Sequence, residues 1–124
     1  MNNAHSHITF VSFGRITVGT VQCDSIIYPM TVFELAQDTV DYVKERPGIH
    51  LLLNFSQVDI VSNILAGELL RINALVTAGG GTLRLCGLNR NVRGALKAIN
   101  LDKVVEIDDE VEGAAIRFAR SLVA

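Results

Sequence analysis

The sequence predicts a single α/β domain: a mixed β-sheet, with an antiparallel N-terminal pair and later strands parallel, packed with about four helices. Three observations carry that prediction. Two segments rich in β-branched residues, HITFVSF (7–13) and RITVGTV (15–21), are separated only by Gly14, which asks for a tight turn and antiparallel pairing. After them, apolar strand patterns alternate with helical stripes, and strands joined through a helix run parallel with a right-handed crossover. Of the 124 residues, 49% are hydrophobic and 19% charged, which is the balance of one folded domain rather than a disordered chain.

The elements follow in order. In YPMTVFELAQDTVDYVKERPG, Thr31 with Glu34 three residues later fits a capping box, because each side chain can satisfy a first-turn N–H. Val32, Ala36, Val40 and Val43 share one face of the helix that follows, and Pro47-Gly48 stops it. HLLLNF (50–55) has too few polar positions to be half exposed and reads as a central strand covered on both sides. Leu65, Leu69, Ile72 and Val76 form the stripe of a second helix, with Glu68, Arg71 and Asn73 off it. It closes at Gly79-Gly80-Gly81, where glycine takes the left-handed C-terminal conformation.

TLRLC (82–86) is a second covered strand, with Cys86 as a small core residue. Val92, Ala95, Leu96 and Ile99 make a third helical stripe, with Asn89 or Asn91 as its cap. VVEI (104–107) is a last short strand, and Val111, Ala115, Phe118 and Leu122 form the face of a final helix. The expected order is β-β-α-β-α-β-α-β-α. Residues 1–7 read as a flexible N-terminus and residues 8–124 as the domain.

Composition narrows the function. A net charge of -2 provides no broad basic surface for nucleic acid. No apolar run approaches the roughly 18 residues of a membrane span, and MNNAHSH lacks the basic-then-apolar order of a secretion signal. The two cysteines, Cys23 and Cys86, have neither metal-ligand nor disulfide-framework spacing, which suits a reducing cytoplasm. No metal and no cofactor is expected.

Most chemical motifs reduce to structure. A dinucleotide fingerprint on the glycine run would need glycine at position 84, which is arginine, and this run closes a helix instead of opening one. His50 opens a strand and reads as structural; there is no GxSxG elbow, and neither cysteine has an evident histidine partner. His5 and His7 are too few ligands for a metal site. Asp108, Asp109, Glu110 and Glu112 fall where the last helix begins and would complement its dipole. Arg90, Arg93 and Lys97, with Arg84 nearby, are spaced to share a helix face. No aromatics interleave for base stacking, so they read as a solvated face, with a protein-docking edge as the alternative.

The stretch IVSNILAG (60–67) sets Ser62-Asn63 in an apolar run at the start of the second helix. Both residue types are good helix caps, and a helix N-terminus is also where a phosphate is best held.

The ordered set LLLNFSQVDIVSNILAGELL, AGGGTLRLCGLNRNV and LKAINLDKVVEIDDEVEGAA resembles STAS domains of the anti-sigma factor antagonist (anti-anti-sigma) family. The resemblance covers about Ile8 to Phe118 and is strongest from Leu51 to Ala115. It implies a non-enzymatic cytoplasmic protein of bacterial type. Such a protein binds an anti-sigma factor that is also a serine kinase, or a related regulatory protein. In the family a serine at the start of the helix after the central strand is phosphorylated, which adds about -1.5 to -2 charges and ends binding.

Carried over without gaps, the family Asp falls on Ser62 and the phosphorylated Ser on Asn63. The second Ser falls on Ile64, the following Gly on Leu65, and the later Gly on Gly67. Asn63 cannot accept a phosphoryl group and does not imitate its charge. Three consequences stay open. Asn63 holds the domain in a state like the unphosphorylated, binding-competent one, which is the leading reading; or Ser62 is the acceptor, one residue early; or the domain serves as a scaffold or small-molecule sensor. The implied docking surface comprises Ser62, Asn63, Ile64, Asn89 and Arg90, because both loops should leave the C-terminal edge of a parallel sheet.

Overall fold

Gly14, at φ +59°, turns the chain between β1 (Ile8–Phe13) and β2 (Ile16–Val21), which pair antiparallel from Ile8 opposite Val21 to Phe13 opposite Ile16. The computed structural model describes residues 7–122. The expected flexible N-terminus therefore lies outside the described residues except for His7, whose ring Nε2 pairs with Glu34 at 2.9 Å.

Beyond β2 come β3 (Ser25–Ile26), α1 (Pro29–Lys44), β4 (His50–Asn54), β5 (Ile60–Val61) and α2 (Asn63–Ala78). They are followed by β6 (Thr82–Cys86), α3 (Arg90–Ala98), a 3-10 turn (Leu101–Lys103), β7 (Glu106–Asp108) and α4 (Ala114–Ser121). The main sheet has the order β1-β2-β4-β6-β7, with β2, β4, β6 and β7 parallel. The β4 strand is central, as its unbroken apolar run requires. Leu51 and Leu53 point into the larger core beneath α1, α2 and α3. Leu52 points the other way, into a smaller core with Ile16, Cys86, Ala114 and Phe118 under α4. Burying each such leucine contributes roughly 1.5–3 kcal/mol. The stripes Val32-Ala36-Val40-Val43 and Leu65-Leu69-Ile72-Val76 are buried throughout.

Two short strands escape sequence reading. In β3 and β5, Ser25 pairs with Ile60 and Ile26 with Val61, in parallel. Two-residue strands carry no periodicity, so only tertiary pairing reveals them. They staple together the chain segments that lead into α1 and α2.

Several boundaries are corrected. The α1 helix begins at Pro29, with Tyr28 at the N-cap position and no side-chain cap bond, so Thr31 and Glu34 form no capping box. Proline in the first turn has the helical φ and lacks the N–H that a cap would satisfy. Near the other end, Asn100 (φ +62°) starts the 3-10 turn, so Val104 is 59% exposed and the last strand begins only at Glu106. The α4 helix begins at Ala114 after Gly113, which leaves Val111 outside it and 40% exposed.

The acidic cluster does not complement that helix's dipole, since no acid lies in its first turn. Asp108 instead takes Arg117 at 2.7 and 3.1 Å, and Asp109 takes Arg93. Arg117 also donates to the carbonyls of Glu110 and Glu112 at 3.0 Å each, clasping the loop before its own helix. Loop geometry thus directs these carboxylates sideways onto arginines.

The triple glycine is a close approach as well as a turn. Gly80 is left-handed at φ +87°, and a Cβ on Gly81 would lie 1.9 Å from the Ile49 carbonyl oxygen.

Candidate functional site at the entry of α2

At the C-terminal end of β4, the Asn54 side-chain oxygen accepts the Ser56 N–H at 2.9 Å, while the Phe55 N–H reaches the Cys86 carbonyl at 2.9 Å. These bonds turn the chain over the edge of the sheet toward β5. The pairing of β5 on β3 continues one residue further, because the Ser62 N–H donates to the Ile26 carbonyl at 2.9 Å. Ser62 then stands at the N-cap of α2 (φ −89°, ψ 163°), and its carbonyl accepts the Leu65 N–H at 3.1 Å.

The capping expectation holds for position and fails for chemistry. Ser62 Oγ makes no cap bond; it is buried without a hydrogen-bond partner. Strand pairing fixes the backbone of Ser62 and leaves its hydroxyl directed inward. Asn63, the first helical residue, is exposed, and Ile64 is 42% exposed.

Asn89 is the true cap of α3 and also the tie between the two loops. Its Oδ1 accepts the Val92 N–H at 2.8 Å, and its Nδ2 donates to the carbonyls of Val58 and Asp59 at 3.3 and 3.0 Å. The entry of α3 is therefore fastened to the connection that leads into β5 and α2. Arg90, next to Asn89, is exposed, whereas Arg93 is engaged by Asp109. The five residues expected at a docking surface thus come from two loops on one sheet edge. Sequence reasoning missed the apolar side chains beside them, Ile27, Tyr28, Met30, Phe33 and Ile60, all exposed. The available signal was Met30 and Phe33, three residues apart and off the buried stripe of α1.

Other chemistry sits elsewhere. Burial, then the nearby Asp108 charge, pushes the Cys86 thiol up to about 11, and burial followed by Asp24 raises Cys23. Both thiols are thereby held away from the reactive thiolate. His50 lies edge-on to Phe118, with ring centroids 6.2 Å apart. Among the described residues no group of three or more His, Cys, Asp or Glu is gathered to hold a metal ion. No helix among them is long and apolar enough to cross a membrane. A cleft of about 160 Å³ between Val43, Ile49, Leu75 and Val76 lies at the opposite end of the strands from Ser62.

A five-stranded mixed sheet with three helices on one face and one on the other, and with its α2 entry exposed at the C-terminal edge, defines the class of domain to which the chain belongs. The STAS domain model matches residues 14–114, and the chain belongs to the STAS domain family. No curated protein sequence matches it. Among solved structures it is similar to TM1081 from Thermotoga maritima, at 18% identity and a TM-score of 0.78 over 96% of this chain and 100% of that one. It is similar also to an anti-sigma-factor antagonist (STAS) domain protein from Planctomyces limnophilus, at 15% identity and TM-score 0.77 over 90% and 97%. The anti-sigma factor antagonist SpoIIAA in its unphosphorylated form is 16% identical, with TM-score 0.72 over 94% and 99%. At these identities the likeness is one of fold.

Proposed function

We propose that this chain is a non-enzymatic signalling module of bacterial type that acts in the cytoplasm by binding a regulatory protein, such as an anti-sigma factor serine kinase. The docking surface comprises Ser62, Asn63, Ile64, Asn89 and Arg90, and it is not switched by phosphorylation at the usual serine position. One observation carries this reading: at the entry of α2 the side chain in the usual phosphoserine position is the exposed amide of Asn63, and the adjacent serine hydroxyl, Ser62 Oγ, is buried. An amide has no phosphoryl acceptor oxygen, and a buried hydroxyl is closed to a kinase. Docking at a neutral amide also avoids desolvating a charge, which a carboxylate or phosphate there would incur.

Incubation with the cognate kinase and ATP, followed by mass-spectrometric mapping of phosphate, tests the proposal. The expected result is a stable complex with no phosphate at Ser62 or elsewhere on residues 60–67. Phosphate on Ser62 sinks the reading of a module that phosphorylation does not switch.

A further inference from the structure

Half of the large apolar side chains exposed among the described residues gather at one place. Of twelve such residues, Ile27, Tyr28, Met30, Phe33, Ile60 and Ile64 all belong to the β3–α1 and β5–α2 entries. The topology makes them neighbours. Parallel pairing of β3 with β5 sets Ile26 beside Val61, so the chain runs on with Ile27 and Tyr28 alongside Ser62 and Asn63. On α1, Tyr42 stacks on Phe10 of β1 and Glu34 bonds His7, which marks the flank toward β1. Phe33 lies on the opposite flank, the one toward α2. On α2, Leu75 lines the cleft shared with Val43 of α1, and Ile64 lies on that same flank. Phe33 and Ile64 thus border the groove between the two helices at its N-terminal end.

The charge on the two helix entries is acidic, with Arg90 at the α3 border as the exposed cation beside them. Residues 22–43 and 54–70 contain Asp24, Glu34, Asp38, Asp41, Asp59 and Glu68 and no lysine or arginine. Glu34 is held by His7 and Glu68 by Arg71. Asp24 and Asp59 adjoin each other, with the Asp59 N–H on the Asp24 carbonyl at 2.8 Å, and both are exposed. Neither carboxylate has an ion-pair partner among the described residues.

We infer that the regulatory partner docks across the entries of both α1 and α2, with an apolar anchor seated against Tyr28, Met30, Phe33 and Ile64 and with lysine or arginine flanking it opposite Asp24 and Asp59. This rests on the partner-binding reading above and names the chemistry of the partner. An apolar centre with a charged rim is the arrangement of a specific protein interface. The acidic sign disfavours nucleic acid and anionic membrane. It also disfavours a two-fold dimer through this face, which would set one acidic rim against another.

The test is an NMR titration of the full chain with two synthetic amphipathic helical peptides that share one leucine–phenylalanine face. One carries lysine and the other glutamate on the remaining positions. The lysine peptide should shift amide signals of residues 26–34 and 60–67 saturably, and the glutamate peptide should not. Phe33→Ser with Met30→Ser should weaken the lysine peptide about tenfold or more, the size of an anchor loss. Asp24→Asn with Asp59→Asn should flatten its salt dependence. Gly67→Arg, one turn after Ile64 where an added Cβ meets nothing within 4 Å, should weaken it without loss of fold. Val104→Ser, on an exposed apolar residue outside the patch, should change nothing.

Equal binding of both peptides, shifts centred instead on Val11, Phe13 and Ile116, which are exposed apolar residues outside the patch, no binding, or self-association through this face would each overturn the inference. The two readings fail separately. A regulator that binds the wild type and ignores Phe33→Ser leaves the function standing and removes this surface. A saturable lysine-peptide site with no regulator bound does the reverse.

Discussion

The Asn89 side chain donates to the Asp59 carbonyl at 3.0 Å while its oxygen caps α3. One carboxamide therefore fixes two loops at the C-terminal edge of the sheet. Asn89→Ala removes the cap and leaves the Val58 and Asp59 carbonyls without that donor, and it should cost about 2 kcal/mol in urea unfolding. Asn89→Asp keeps the cap acceptor and loses the donor, so its cost should be smaller than that of the alanine variant. Equal losses would show that the cap on Val92 contributes nothing, and an Asn89→Asp variant as stable as the wild type would show the same of the tie to Asp59.

Ser62 makes the opposite prediction. A working N-cap serine loses about 1 kcal/mol on mutation to alanine. Here the hydroxyl is buried without a partner, so its removal relieves an unmet polar group. Ser62→Ala should change stability by less than about 0.5 kcal/mol, in either direction. A loss above about 1 kcal/mol would mean that the hydroxyl caps α2 in solution.

Gly81 and Gly80 separate two reasons for glycine. A methyl group on Gly81 would collide with the Ile49 carbonyl oxygen, a backbone atom that cannot swing aside. Gly81→Ala should cost about 3 kcal/mol or more. Gly80 is left-handed in open space, so Gly80→Ala should cost only about 1–2 kcal/mol. Thermal or urea unfolding of both variants checks the order.

The bonds from Arg117 hold the Asp108 carboxyl below its ordinary range. A carboxylate whose folded pKa is depressed stabilises the fold fully above its unfolded value, about 4, and loses that contribution as pH falls through the folded value. The difference in melting temperature between wild type and Asp108→Asn should be greatest near neutral pH and shrink below about pH 4. A difference that is flat with pH would show that the Arg117 bonds do not favour the ionised form.

Cys86 should resist alkylation in the native protein, because its thiol is buried and raised to about 11. Only on denaturation should both cysteines react freely. Modification of native Cys86 at the rate of a free thiol would contradict the packing under α4.

The parts of the molecule legible in the sequence are those where pattern and packing coincide. Leu51-Leu52-Leu53 is a strand buried on both faces, and every residue of the stripes expected on α1 and α2 is buried, with Leu35 and Ala66 joining them. The parts that were illegible depend on partners remote in sequence. Nothing local in Ser25-Ile26 announces its pairing with Ile60-Val61, and nothing in Asp108 or Asp109 tells that arginines at positions 117 and 93 will take them. At the candidate site, Asn89 and the α2 entry could be placed on one edge by topology. The inward turn of Ser62 Oγ could not, because it follows from strand pairing invisible in the sequence.

The central claim is that a regulatory protein docks on a neutral, unmodified α2 entry. The most direct measurement is the affinity of a purified anti-sigma factor kinase from the same cell for the wild type and for Asn63→Asp. Asn63 is exposed beside Ile64 at the proposed docking surface, so a carboxylate there would have to be desolvated on docking. The account predicts a complex with the wild type that survives ATP without phosphate transfer, and affinity about tenfold or more lower for Asn63→Asp. Equal affinities, or phosphate on Ser62, would contradict it.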